Sequence, residues 1–327
     1  MKLRASVCAG LFVLLIGCAG GTGHKSNEKY FLVSANVRLP YWQAASTGLS
    51  RAARQLDVSA EMVGPDNYDP QAEQAAFRTA LAKGPAGIMV SAADPNLMKA
   101  DIDGAIAQGI PVITIDSDTP DSKRLMFIGT NNRQAGVMGG RRALKELNGK
   151  GNVVVYTMPG QTNLAERLSG YKEALADSNI KIIDTVDVKG DPRVAFDRTT
   201  EIIEKAKVKP DGFVCLEAIA CKEVADVLER KKVSGKVIIA MDTDQETLDW
   251  IKKGVIAATI AQKPFTMAYY GLKVLGDLHL NKPQTLEMNL ATDTMSPLPV
   301  FVDTGATMID KSNVDAFLNA RNSASAK

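Results

Sequence analysis

Apolar and polar positions along this chain fall into two alternating periods. Short apolar runs at 31–34, 87–90, 112–115 and 125–128, and an alternating stretch at 58–63, read as strands. Residues 42–56, 69–82 and 97–107 instead repeat apolar and small residues at helical spacing. After Asn131-Asn132 the same grammar restarts. Helices are predicted over 134–147, 164–176, 195–205, 222–230 and 245–252, alternating with strands over 153–156, 180–186, 213–216 and 237–241. An apolar run at 257–261, a helix over 266–278, a loop over 292–299 and a last strand over 300–302 complete the pattern. Such alternation predicts parallel sheets with helices on both faces. No strict sequence repeat is visible, but the order predicts two similar α/β lobes in series. A chain that returns from the second lobe to the first needs several crossovers, and these make a hinge.

Three of the apolar runs stop abruptly in polar side chains. The run 111–115 stops at Asp116-Ser117-Asp118, the run 237–241 at Asp242-Thr243-Asp244, and the run 257–261 at Gln262. Ligands of open parallel sheets sit at the carboxyl ends of the strands. The sequence therefore marks one polar-lined cleft.

The N-terminus bears on where that cleft works. Lys2 and Arg4 precede an apolar segment at 7–16, too short for a stable spanning helix, which ends in Leu15-Ile16-Gly17-Cys18. This matches a bacterial lipoprotein signal over 1–17, with Cys18 lipidated; an ordinary secretory signal with a chance cysteine is the alternative. Residues 18–29 are small and polar and read as a flexible tether, so the body begins near Tyr30.

Beyond residue 17 the chain carries 37 basic and 37 acidic residues, a balance that attracts no nucleic acid. Two histidines, His24 and His279, leave no material for a multi-histidine metal site or a His-centred triad. No cofactor or metal is expected. Cys215 and Cys221 follow Cys18, one at a strand end and one at a helix start. They read equally as a short-range disulfide in an oxidising compartment or as two buried thiols.

Several stretches in this order resemble the sugar-binding proteins of ABC transporters, of the ribose-binding, type I periplasmic kind. They are Asn36-Val-Arg-Leu-Pro-Tyr-Trp-Gln43, Ile110-Pro-Val-Ile-Thr-Ile-Asp-Ser-Asp118, Ile128-Gly-Thr-Asn-Asn132, Glu166-Arg167, Met241-Asp242 and Ala258-Thr-Ile-Ala-Gln262. The resemblance covers nearly all of 30–318. It implies two Rossmann-like lobes joined by three crossings, near Asn131, Gln262 and Val300. One lobe would comprise 30–130 with 263–299, the other 131–262 with 300–327. It also implies a sugar held between closing lobes and a membrane permease as partner; with the N-terminal signal, a monomer anchored only through its lipid is expected.

A sugar's hydroxyls need carboxylate, amide and guanidinium partners. On the resemblance, Asp116 and Asp242 accept from hydroxyls, Arg167 donates from the second lobe, and Gln262 sits at hinge and ligand together. Asn163 lies one helical turn before Arg167, Tyr41 and Trp42 form an aromatic pair for the sugar face, and Asn36 holds a hydroxyl. Asp118 and Glu217 are nominated as further acceptors. Most have a structural alternative: helix caps or turns for the aspartates, core packing for an aromatic, a backbone-bonding hinge residue for Gln262, solvated charge for Arg167 and Glu217. Ribose binders carry Arg where this chain has Ser117, and Asn where it has Leu216. The first departure puts ribose itself in doubt, and a carboxylate at Glu217 beside the second would favour a polyhydroxylated ligand such as a linear polyol.

Three other classes compete with an importer's receptor. An enzyme could use the aspartates as general acid and base on a glycoside, although nothing in the sequence points to a raised carboxyl pKa. A sensor could present its ligand to a membrane receptor. An autoinducer or nucleoside receptor could share the fold.

Overall fold

The computed structural model describes residues 23–283 and 295–325. The signal segment, Cys18 and the loop residues up to 294 lie outside the described residues. The first half runs β1 (Lys29–Val33), α1 (Pro40–Leu56), β2 (Ser59–Val63), α2 (Pro70–Leu81), β3 (Gly87–Val90), α3 (Pro95–Ala107), β4 (Val112–Ile115) and β5 (Phe127–Gly129). The second runs α4 (Asn132–Glu146), β6 (Lys150–Thr157), α5 (Thr162–Leu175), β7 (Asn179–Asp187), α6 (Pro192–Lys205), β8 (Gly212–Cys215), α7 (Ala220–Arg230), β9 (Val237–Met241), α8 (Gln245–Lys253) and β10 (Ala258–Ala261). The chain then re-enters the first lobe with α9 (Pro264–Leu280) and β11 (Phe301–Asp303). It ends in the second with β12 (Thr307–Asp310) and α10 (Val314–Ser325).

Several helix starts are written in Asp-Pro pairs. Asp69, Asp94 and Asp191 each accept a backbone N–H of the first turn, and the proline behind each fills a position that needs no donor. The strands β3, β4, β8 and β10 are buried along their whole length, as expected for a sheet covered on both faces.

The two six-stranded sheets have the same topology. The first reads β2-β1-β3-β4-β5-β11 and the second β7-β6-β8-β9-β10-β12, all parallel except the β10–β12 pair. The duplication expected from element order is therefore one of topology. Each core is completed by the chain's later return to its lobe: Met267 and Leu272 join the first, and Ile309 and Val314 join the second.

Crossings fall at 130–131, 262–263 and 304–306. The third differs from the expected one near Val300. β11 pairs with β5, Phe301 beside Phe127, so 301–303 complete the first sheet rather than the second lobe. The expected tether also ends earlier than residue 29. Glu28 is buried, accepting hydrogen bonds from the Tyr30 hydroxyl (3.1 Å) and the Lys25 N–H (2.7 Å), and Lys29 already belongs to β1. A carboxylate with those donors fixes the chain that carries it.

Candidate functional site

Both sheets end their strands on one interlobe cavity of about 590 Å³, counting its open mouth. The duplicated topology places β4 and β9 at equivalent positions, and each is followed by an aspartate. Asp116 and Asp242 both adopt a left-handed backbone, with φ of 62° and 68°. Each N–H bonds the equivalent neighbouring strand, Asp116 to the Ile128 carbonyl (3.2 Å) and Asp242 to that of Ile260 (2.9 Å). Aspartate tolerates this conformation better than most residues, and such outliers concentrate at functional sites. The same equivalence pairs Thr130 with Gln262. These two meet at the hinge, the Thr130 hydroxyl donating to Gln262 Oε1 at 2.8 Å.

Arg167 is the centre of the polar network. It is 2% exposed and reaches the cavity from α5. Its Nε donates to Asn132 Oδ1 (2.9 Å), Nη1 to the Leu216 carbonyl (2.7 Å) and Nη2 to Gln262 Oε1 (2.7 Å). Close packing of α4 on α5 makes this reach possible: a Cβ at Gly136 would lie 2.1 Å from the Arg167 carbonyl oxygen. A guanidinium carries five N–H groups, so two remain for a ligand.

The first lobe orients its aspartate from two sides. The Tyr41 hydroxyl donates to Asp116 Oδ1 (2.7 Å) and the Ser91 hydroxyl to Oδ2 (3.0 Å). In the second lobe Gln262 Nε2 donates to Asp242 Oδ1 at 2.9 Å. Glu217 accepts from the N–H groups of Ile219 (2.5 Å) and Ala220 (3.0 Å). Its loop is closed by a Cys215–Cys221 disulfide with a Cα–Cα distance of 5.7 Å.

Burial pushes Asp242 and Glu217 up to about 7. The Gln262 amide and the Arg167 charge hold Asp242 back from a larger rise, as the two backbone N–H groups do for Glu217. Asp116 is also raised by burial, against Arg167, Tyr41 and Ser91. The expectation of no raised carboxyl is thus corrected: composition does not reveal how completely a closed cleft dehydrates its carboxylates.

Of the ten nominated ligand residues, Asn36, Tyr41, Trp42, Asp116, Asn163, Arg167, Glu217, Asp242 and Gln262 line this cavity. Trp42 also packs in the first core, edge-on to Tyr41 with ring centroids 5.2 Å apart. Asn36 and Asn163 each spend Oδ1 on a nearby backbone N–H, of Arg38 and Leu164. Asp118 is the exception. Its carboxylate turns back into its own lobe, held by Arg124, the Thr114 hydroxyl (2.5 Å) and the Thr119 N–H (2.8 Å). Saturated by these donors, it lines a neighbouring cavity with Arg124 instead.

Sequence reasoning missed the residues that support this set. Ser91, Thr130 and Asn132 orient Asp116, Gln262 and Arg167. Thr130 and Asn132 lie in the Ile128–Asn132 stretch, so a signal was present, but their bonds depend on the fold. Tyr68, Gln161 and Met158 complete the wall. Among the described residues no cluster of histidine, cysteine, aspartate or glutamate could hold a metal ion, and no helix is long and apolar enough to cross a membrane.

The arrangement offers many hydrogen-bonding groups around a partly aromatic wall, and the chain that carries it is similar in sequence and fold to known binding proteins. Ribose import binding protein RbsB of Bacillus subtilis is 24% identical over 313 residues, covering 90% of this chain and 99% of that protein. The sugar-binding protein of a sugar ABC transporter from Bacillus halodurans is 35% identical and superposes with a TM-score of 0.78, over 89% of this chain and 100% of its own. AraP, an arabinose binding protein from Geobacillus stearothermophilus, is 32% identical with a TM-score of 0.73, over 89% and 99%. Residues 30–283 match the family described as the periplasmic binding protein domain. The chain belongs to the periplasmic binding protein family.

Proposed function

We propose that this chain is the sugar receptor of an ABC importer, taking a monosaccharide or sugar alcohol between its lobes and delivering it to a membrane permease. The observation that carries the reading is the pair of equivalent left-handed aspartates, Asp116 and Asp242, brought to one cavity from opposite lobes around Arg167. The carboxylates accept from hydroxyls and the guanidinium donates in a planar fork, while Tyr41 and Trp42 supply apolar faces for C–H groups. Ligand contacts both lobes only when they are closed, so its binding energy shifts the population towards the closed form. This reading assigns no reaction. The mature chain is held at the membrane through a lipid on Cys18 and acts as a monomer.

Thermal unfolding against a panel of pentoses, hexoses, polyols, inositols and nucleosides tests the ligand class. A ligand at 100 times its dissociation constant stabilises by about 2.7 kcal/mol. A midpoint shift with one or a few sugars or polyols, lost in Asp116→Ala and Asp242→Ala, is expected. A shift with nucleosides alone, or with nothing in the panel, would overturn the sugar reading. Mass spectrometry of the membrane-associated protein should find the lipid on Cys18; an unmodified cysteine would remove the anchor.

A further inference from the structure

The lobes also meet at the outer edge of the cleft, through residues for which the polar network has no use. Tyr68 lies in the first-lobe loop between β2 and α2. The base of that loop is fixed: the Val37 N–H donates to the Pro65 carbonyl (2.9 Å), and a Cβ at Gly64 would lie 2.2 Å from the Ser34 carbonyl oxygen. The Tyr68 hydroxyl donates to the Ala93 carbonyl at 3.2 Å, and the Ala93 N–H donates to the buried Glu73 carboxyl at 2.9 Å. The tyrosine is thus tied to a peptide that itself lines the ligand cavity.

Across the cleft, the ring packs against the second lobe's core. It does so where the turn between β7 and α6 has a glycine. Gly190 has φ of +70°, and a Cβ there would lie 2.3 Å from Tyr68 Cβ and 2.7 Å from Cγ. No side chain fits at position 190 while the lobes are this close. Gly190 does not line the ligand cavity, so any influence it has on a ligand passes through Tyr68 and the closure it seats.

We infer that Tyr68 is a positioning residue for closure: it seats in the notch left by Gly190, and this contact sets how tightly the ligand is retained. The inference rests on the two-lobed receptor reading. The loop registers closure at the cavity wall itself, through Tyr68 and the Ala93 carbonyl it holds.

Two experiments test it. The first needs no ligand. With tyrosine- and glycine-selective isotope labelling of the unaltered chain, NMR should show a nuclear Overhauser contact between the Tyr68 ring and the Gly190 α-protons. Its intensity should rise with whichever of D-ribose, L-arabinose, D-galactose or myo-inositol stabilises the parent. Absence of this signal, with or without these compounds, would overturn the contact. The second is Gly190→Asn, since asparagine tolerates positive φ but adds the forbidden Cβ. It should bind the stabilising compound at least tenfold more weakly, through faster dissociation, with an unchanged ligand-free midpoint. Parental affinity in this variant would overturn the role. A parent stabilised by none of the four compounds would count against the sugar reading, while the signal between Tyr68 and Gly190 would still judge the contact.

Discussion

Replacing Arg167 with alanine tests the network at its centre. The side chain is 2% exposed and gives three hydrogen bonds of 2.7–2.9 Å, to Asn132, Leu216 and Gln262. Those acceptors belong to the second lobe and the hinge, so the bonds persist when the lobes open. Hydrogen bonds to a charged group contribute about 1.5–3 kcal/mol each, but water entering from the cleft re-satisfies part of what is lost. We therefore expect a net cost of about 3 kcal/mol, and, at about 2–4 °C per kcal/mol for a lobe of this size, a midpoint lowered by about 6–12 °C. Asp116 and Asp242 also lose the charge that most opposes their upward shift. Both then carry their protons at higher pH, and a protonated carboxyl loses acceptor strength. Arg167→Lys keeps the charge without the fork and should recover only part of either loss. Calorimetry of unfolding and of sugar binding gives both numbers. A midpoint within 1 °C of the parent, together with unchanged affinity, would refute the assignment of Arg167 as the organiser of the site.

Further outcomes follow from other buried groups. Glu73 is fully buried, and its carboxyl is raised to about 8 by burial, with Asp116 and Asp94 adding to the rise. A carboxyl with a raised folded pKa binds an extra proton on folding, so stability should fall as pH rises from about 4.5 to about 8 and level off above. Urea titrations across this range should show a shallower fall in Glu73→Gln; an identical slope would remove Glu73 as the cause. Asp118→Ala leaves Arg124 buried without its partner and should cost about 3–5 kcal/mol of stability. Its affinity for the sugar, measured by calorimetry, should stay within about threefold of the parent because a structural pair is all that is lost; a larger loss would return Asp118 to the ligand site. Reducing the Cys215–Cys221 bridge opens a loop with a separation of 6 residues, for which chain entropy gives about 2 kcal/mol. Urea midpoints with and without reductant should differ accordingly, and equal midpoints would contradict this.

Much of this architecture was legible in the sequence because its main strands are buried on both faces and so appear as unbroken apolar runs. The polar residue at each strand end then marked the cleft directly, which is how Asp116, Asp242 and Gln262 were found. The misplaced third crossing has the opposite cause. β11 is three residues long with a partly exposed edge pattern, and nothing in Phe301-Val302-Asp303 says which sheet it will join. Asp118 does not join the other aspartates at the cavity because its direction is decided by Thr114 and Arg124, neither of which resembles a ligand-site signal by itself. Supporting contacts such as Ser91 to Asp116 or Asn132 to Arg167 span 25 and 35 residues. Spacing along the chain carries no trace of them. The pseudo-symmetry of the two aspartates required the backbone itself, since no sequence repeat accompanies the repeated topology.

The most direct test of the central claim is a crystal structure of the protein with the sugar or polyol that most stabilises it. The account predicts one ligand between the lobes, its hydroxyls within hydrogen-bonding distance of Asp116, Asp242 and Arg167, and a face against Tyr41 or Trp42. Ligand density outside this cavity, or inside it but bonded to one lobe alone, would contradict it.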